Sequence, residues 1–298
     1  MSAYLFVHFI GEQEDGEQIH FSISKDGLHW KDLNRSKPIL YSHVGEKGVR
    51  DPFIVRHPKT KTFYLIATDL RIASKKGWDA AIRQGSKSII VWESKDLIHW
   101  SEERSCQVGV ENAGCVWAPE AIYDQEKEAF LVFWASKIWE TDAVGKHKIF
   151  GSYTNDFKTF TEPFVFLEKD CDVIDSTIIK EGDTYYRFTK DETESKVILE
   201  ASKQLTGTYK YIESPVLRTL DGVEGPECFL LPDKKTWCLI VDQFAKKLGY
   251  RPFLVTDLKN GQMVSLETSQ YDFGASKKRH GGIIELTEEE YERLEAHW

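Results

Sequence analysis

The sequence predicts an all-β chain folded as a single five-bladed β-propeller, and three observations carry that expectation. A strand–turn–strand unit recurs: PFIVRHPKTKTFYLIATD after Asp51, AIYDQEKEAFLVFWAS after Glu120, STIIKEGDTYYRFTKD after Asp175 and GPECFLLPDKKTWCLIVDQ after Glu224. A turn phrase recurs with it: Ser24-Lys25-Asp26-Gly27-Leu28-His29-Trp30, Ser94-Lys95-Asp96-Leu97-Ile98-His99-Trp100, a looser Thr154-Asn155-Asp156 through Phe160, and a faint copy from Ser202 to Tyr209. Helical periodicity is nearly absent between the copies, so each unit reads as several strands rather than as part of a helical solenoid.

In chain order, Ala3–Ile10 is rich in Tyr, Phe and Val and reads as a strand; GEQEDGE is a turn and QIHFSIS a second strand. The turn phrase follows, its Ser and Asp side chains placed to accept from nearby backbone N–H groups and its last aromatic placed to cover the adjoining strands. Four units of roughly 50–70 residues, opening near Asp51, Trp117, Asp175 and Glu224 and ending near Leu266, match four-stranded blades. The N-terminal strand pair and the strand His280–Leu286 are each too little for a blade. Together they make a fifth, closing the ring with both chain ends and leaving no open sheet edge. A short C-terminal helix follows, with Thr287 as N-cap and Glu290 three residues on in a capping box. No linker or low-complexity block divides residues 1–298, which read as one β-propeller domain.

Composition narrows the function classes. Thirty-nine basic against 48 acidic residues leave a net charge of −9, without a long basic run, so nucleic acid and anionic membranes are poor partners. No stretch approaches the ~18 apolar residues of a membrane span. The five cysteines lack C-x-x-C spacing and read as reduced, buried thiols rather than disulfides or zinc ligands. MSAYLFVHFIGEQEDGE has no basic n-region, so the expectation is a cytoplasmic protein. Aromatic residues are 13% of the chain, enough to furnish strands and to line a sugar-binding cleft.

The acids carry the chemistry. Asp51, Asp175 and Glu224 each open a repeat, and strands that open blades face the propeller axis, so three carboxylates from three blades are expected to share one pocket. Crowded and partly desolvated, one should keep its proton near neutral pH while another stays ionised. That pairing suits glycosidic-bond cleavage: an acid protonates the leaving oxygen and a carboxylate activates water on the opposite face, roughly 6.5–9.5 Å away when the anomeric centre inverts.

The ordered motifs Arg50-Asp51-Pro52, Trp117-Ala118-Pro119, Ile174-Asp175-Ser176 and Glu224-Gly225-Pro226 resemble glycoside hydrolase family 43, the inverting five-bladed propellers that include α-L-arabinofuranosidases, β-xylosidases and arabinanases. The resemblance implies Asp51 as general base, Glu224 as general acid, and Asp175 as the residue that tunes and orients the acid. Trp117 becomes a candidate sugar-stacking residue, although a blade-opening tryptophan serves a core equally well. Arg279-His280-Gly281 resembles a family segment in which a histidine lies near the axis. No cofactor is required; an ion held near His280 would be a structural calcium. Asp69 and Arg251, beside apolar runs, are further candidate substrate contacts.

The implied substrate is an arabinose- or xylose-containing oligosaccharide, with exo removal of terminal α-L-arabinofuranosyl groups from plant-derived oligosaccharides as the first reading. A β-D-xylosidase of the same fold and a non-catalytic carbohydrate-binding propeller are the alternatives. The insertion from Asp69 to Lys87 is expected to wall the cleft into a pocket.

Overall fold

The computed structural model describes residues 3–141 and 143–298, and among them twenty strands form five antiparallel four-stranded sheets. Blade one contains β4 (Val49–Arg56), β5 (Phe63–Asp69), β6 (Ser88–Ser94) and β7 (Arg104–Gln107). Blade two contains β8 (Trp117–Asp124), β9 (Ala129–Trp139), β10 (Gly145–Thr154) and β11 (Phe164–Leu167). Blade three contains β12 (Val173–Glu181), β13 (Thr184–Asp191), β14 (Lys196–Ser202) and β15 (Lys210–Ile212). Blade four contains β16 (Glu224–Leu230), β17 (Trp237–Asp242), β18 (Tyr250–Asp257) and β19 (Gln262–Ser265).

The closing blade joins β1 (Ala3–His8), β2 (His20–Ser24) and β3 (Lys31–Asp32) to β20 (Gly281–Leu286), which pairs with β1 from the far end of the chain. The sheet edges of both chain ends are therefore satisfied by each other, as the two incomplete strand sets predicted. Strands β4, β8, β12, β16 and β20 abut in sequence, and β20 abuts β4, so five blade-opening strands ring the axis.

Five apolar clusters hold the blades together, one at each interface around the ring. The second strands are covered on both faces, which is why Phe63–Ala67 and Phe130–Ala135 read as continuous apolar runs without alternation. The outer strand β7, covered on one face, alternates between half-buried and exposed. Each fully buried Leu or Phe in these interfaces contributes about 1.5–3 kcal/mol of transfer free energy.

The turn phrase joins the third and fourth strands of successive blades. The Ser94 hydroxyl accepts from the N–H groups of Asp96 and Leu97, Asp96 accepts from those of Ile98 and His99, and Trp100 Nε1 donates back to the Leu97 carbonyl. The same bonds recur around Ser24, Asp26 and Trp30, and in part around Thr154 and Asp156. Position four is left-handed in all three copies: Gly27 (φ 78°), Leu97 (φ 68°) and Phe157 (φ 53°).

The C-terminal helix (Glu288–His297) carries both capping-box bonds and packs Tyr291 and Leu294 into the interface between the closing blade and blade one. Two short helices interrupt the strands: α1 (Trp78–Arg83), inside the insertion after β5, and α2 (Pro215–Thr219), before β16, so that the C-terminal helix is α3. No helix among the described residues is long and apolar enough to cross a membrane.

Candidate active site

Four of the blade-opening strands begin with the same irregularity. Between Arg50 and Phe53, Trp117 and Glu120, Ile174 and Ser176, and Glu224 and Glu227, the strand holds one residue more than its partner. Such bulges turn a side chain away from its strand's plane. At each bulge one residue is left-handed: Asp51 (φ 48°), Ala118 (φ 47°), Asp175 (φ 45°) and Gly225 (φ 53°). Aspartate and glycine tolerate this conformation better than most residues. Asp51 and Asp175 are therefore equivalent by position, whereas Glu224 stands one residue earlier, where the other blades place Arg50, Trp117 and Ile174. The longer Glu side chain supplies the third carboxylate from that offset.

All three predicted acids line one cavity of about 900 Å³ at the mouth of the axis. Asp51 Oδ2 accepts from the Thr68 hydroxyl (3.0 Å), which itself accepts from the Ala118 N–H (2.7 Å), so the bulges of blades one and two are tied together. Asp175 Oδ2 accepts from the Gly225 N–H (3.0 Å). Buried His280 sits between them, its Nδ1 at 3.6 Å from Asp51 and 3.8 Å from Asp175. A side chain at Gly225 would meet the His280 ring at 2.8–2.9 Å, so glycine is needed there for space as well as for φ. The Tyr250 hydroxyl donates to the Gly225 carbonyl and accepts from the Gly281 N–H, fastening blade four to the closing blade.

Glu224 is clamped by two cations. Lys190 Nζ donates to Oε2 at 3.0 Å, and Arg279 Nη2 donates to Oε1 at 2.8 Å. Lys190 also pairs with Glu192 and lies over the Phe244 ring, while Arg279 Nε donates to buried Asp242 at 2.5 Å. Burial alone would raise the Glu224 pKa, but Lys190 and Arg279 outweigh it and hold the carboxyl below its ordinary range. Asp175 is raised by burial, against the opposing pull of His280. Asp242 is pushed up to about 6, chiefly by burial, with Arg279 opposing. The site thus separates its carboxyls as expected, but the residue that burial pushes toward the protonated form is Asp175, and Glu224 is the stabilised anion.

Trp117 lines the cavity, facing Trp78 of α1 with ring centroids 6.1 Å apart, and Trp78 and Ile82 bring the insertion to the wall as predicted. The lining also includes Glu12 and Arg50; Arg50 is paired to Glu17 and Glu12 and lies over the rings of Phe9 and Trp78. Asp69 does not reach the cavity. It pairs with Val49, two residues before the bulge residue Asp51, and its buried carboxylate accepts from the Glu46 N–H (2.8 Å) beneath the loop at Gly45. Arg251 is also outside it: the residue lies on β18, two strands out from the axis, and its Nη2 donates to the Ser265 hydroxyl.

Lys190, Arg279, Asp242, Arg50 and Glu12 escaped the sequence reading. Lys190 and Asp242 carry a weak signal: each lies at or next to the end of a second strand, opposite the residue that starts a bulge, Ile174 and Glu224 respectively.

A family model described as "Probable glycosyl hydrolase domain", of the glycosyl hydrolase 43-related group, matches residues 1–292. The chain belongs to that family. A curated relative, an α-L-arabinofuranosidase of Bifidobacterium longum, is 30% identical over 93% of this chain. The alignment takes in 30% of that longer protein's length. Among solved structures of the same fold, a Cellvibrio cellulosa α-L-arabinanase complexed with arabinohexaose superposes with a TM-score of 0.61 at 17% identity, over 92% of this chain and 95% of its own. The Bacteroides ovatus xyloglucan-locus GH43B superposes with a TM-score of 0.57 at 18% identity, over 94% and 54%.

The donor set around His280 does not fit a calcium ion in this member of the family 43-related group. Calcium takes six to eight oxygens, whereas His280 presents a nitrogen to two carboxylates, and among the described residues no three His, Cys, Asp or Glu side chains converge as ligands.

Proposed function

We propose that this protein is an inverting, exo-acting glycoside hydrolase that removes terminal α-L-arabinofuranosyl groups from plant-derived oligosaccharides. The observation that carries the reading is the convergence of Asp51, Asp175 and Glu224, from three blades, on one walled cavity. The family assignment supports hydrolysis, and the Bifidobacterium relative supports the arabinofuranosyl choice over xylosyl.

In this reading Asp51 takes a proton from water as the water oxygen bonds to the anomeric carbon. The bond to the aglycone breaks on the opposite face, and Glu224 gives its proton to the departing oxygen, so the configuration inverts. Asp175, bonded to the Gly225 N–H beside Glu224, fixes the backbone that carries the acid. Glu224 must hold a proton for this step, against the clamp of Lys190 and Arg279. Asp242 supplies the counterweight: when ionised it draws the Arg279 charge toward itself and frees Glu224 to protonate. After transfer the clamp stabilises the carboxylate that results, a gain realised only as the leaving group departs.

The test is hydrolysis of aryl α-L-arabinofuranoside and aryl β-D-xylopyranoside by the parent and by Glu224→Ala, with the first-formed anomer read by NMR. Release of inverted arabinose that collapses in the variant is expected. Preference for the xyloside would reassign the sugar, and silence on both from folded protein would remove the hydrolase reading.

A further inference from the structure

We infer that a second cavity, on the outer side of blade four, binds the leaving-group portion of an oligosaccharide substrate; this rests on the glycosidase reading above. The cavity is about 640 Å³ and shares Gly249, Ser276 and Lys277 with the catalytic cavity, so the two meet along that stretch. It is separate from the acids: none of Asp51, Asp175 and Glu224 lines it.

Its direction from the acid identifies its occupant. In acid-assisted cleavage the departing oxygen lies against the proton donor, so the aglycone extends to the donor's side of the pocket. Here the donor's side is blade four. Glu224, Asp242 and Tyr250 are register partners on β16, β17 and β18, a row leading outward from the axis along the upper edge of the sheet. Tyr250 and its neighbour Arg251 line the second cavity at the outer end of that row. Blade one, which does not adjoin blade four, contributes Trp78 and Ile82 of α1 to the wall of the catalytic cavity.

The lining suits a neutral sugar chain. Tyr271 and Phe273 present two half-buried rings 5.8 Å apart, Phe273 resting in turn on Tyr250, and Leu248 stands 64% exposed beside them. Aromatic faces of this kind cover the apolar face of a sugar ring while leaving its hydroxyls free. Around them stand Arg251, Lys277, Glu267 and Asp272, with Lys278 neutralised by Asp32, a mixed set that offers donors and acceptors to hydroxyls without favouring a charged ligand. This assigns Arg251, absent from the catalytic cavity, a place at the far end of the same cleft.

The test compares arabinotriose with aryl α-L-arabinofuranoside on the parent, Tyr271→Ala, Tyr271→Phe and Leu248→Ala. Binding energy from units remote from the scissile bond acts on the reacting centre, so losing one aromatic contact is expected to lower kcat/KM for arabinotriose about tenfold. Turnover of the aryl glycoside, too short to span the second cavity, should hold within about twofold, and Tyr271→Phe should restore the trisaccharide rate because the ring is kept. Equal losses on both substrates, or no loss on either, would overturn the second site while leaving the hydrolase intact. Silence of the parent on both substrates would overturn the hydrolase reading and this inference together.

Discussion

Two rings of acids line the same axis and are handled in opposite ways. At the mouth, Asp51, Asp175 and Glu224 face the cations Lys190 and Arg279 and the imidazole of His280. Two residues beyond the bulges, Glu120 of β8, Thr177 of β12 and Glu227 of β16 point into the channel beneath. There the partners are the carboxyls themselves, the Thr177 hydroxyl (3.3 Å to Glu227) and the Ile283 N–H (2.9 Å to Glu227), and no cation among the described residues pairs with either Glu. Burial pushes Glu227 up to about 8 and lifts Glu120 well above the carboxylate range. A buried acid without a cation keeps its proton, and one between two cations gives it up. The proton is disfavoured at Glu224 in the mouth and favoured at Glu120 and Glu227 in the channel.

The largest effect should separate the rings by activity. Glu224→Ala is expected to lower turnover of poor leaving groups about 10³-fold and of activated aryl glycosides much less, since the latter need little protonation. Glu227→Gln, which keeps the shape of a protonated carboxyl, should leave both rates within about threefold; a collapse there would erase the distinction. Next in size, Lys190→Met removes one cation from Glu224. A general acid loses activity as pH rises through its pKa, so with Glu224 released upward the alkaline limb of kcat/KM should move to higher pH. The rate is expected to fall about tenfold as the leaving carboxylate loses its partner. An unmoved limb would mean that Lys190 does not set the acid.

Stability should separate the rings by sign. Glu224 is held below its unfolded value, so its contribution is present at neutral pH and is lost on acidification through the folded value. Glu227 is held above its unfolded 4.5 at about 8, so its contribution is full below the lower value and is lost as pH rises toward the upper one. Between pH 5 and 8 the parent should lose on the order of 5 °C of Tm through this group, and Glu227→Gln should flatten the slope. An identical slope in the variant would place the titration elsewhere.

Much of this architecture was legible because repetition exposes it. The turn phrases are bonded through nearly the same donors in successive blades, and the closing blade follows from two strand sets that cannot stand alone. Asp51, Asp175 and Glu224 were legible because they open units of one pattern. What the pattern hid was finer than a unit. One extra residue per bulge decides whether a carboxylate lies at the left-handed position or one before it, and periodicity does not register that. Asp69 and Asp242 both end second strands, yet a one-residue difference in register sends one under a loop and the other to Arg279. Helices α1 and α2, at six and five residues, are too short for a hydrophobic period; only Ser214 before Pro215, an N-cap followed by a favoured first residue, marks the second. The lower ring had a textual trace, since Trp117-Ala118-Pro119-Glu120 and Glu224-Gly225-Pro226-Glu227 share their last two residues, but nothing in sequence tells a channel acid from a mouth acid.

The smallest expected effect tests the channel alone. Thr177→Val keeps the side-chain volume and removes the hydroxyl that donates to Glu227 Oε2. Losing one hydrogen bond of this kind costs about 1 kcal/mol, a Tm fall of roughly 1–2 °C for a chain of this size. That hydroxyl also lowers the Glu227 pKa by bonding its charged form, so in the variant the proton should be held to higher pH and the Tm decline, which still starts near the unfolded value, should run on to higher pH. Activity on both aryl and oligomeric substrates should stay near the parent's, because Thr177 faces Glu227 and the channel rather than the catalytic cavity. A lower Tm with an unshifted pH dependence would make Thr177 a packing residue and leave burial as the sole cause of the held proton; a lower rate would show that the two rings are coupled through β12, two residues below Asp175.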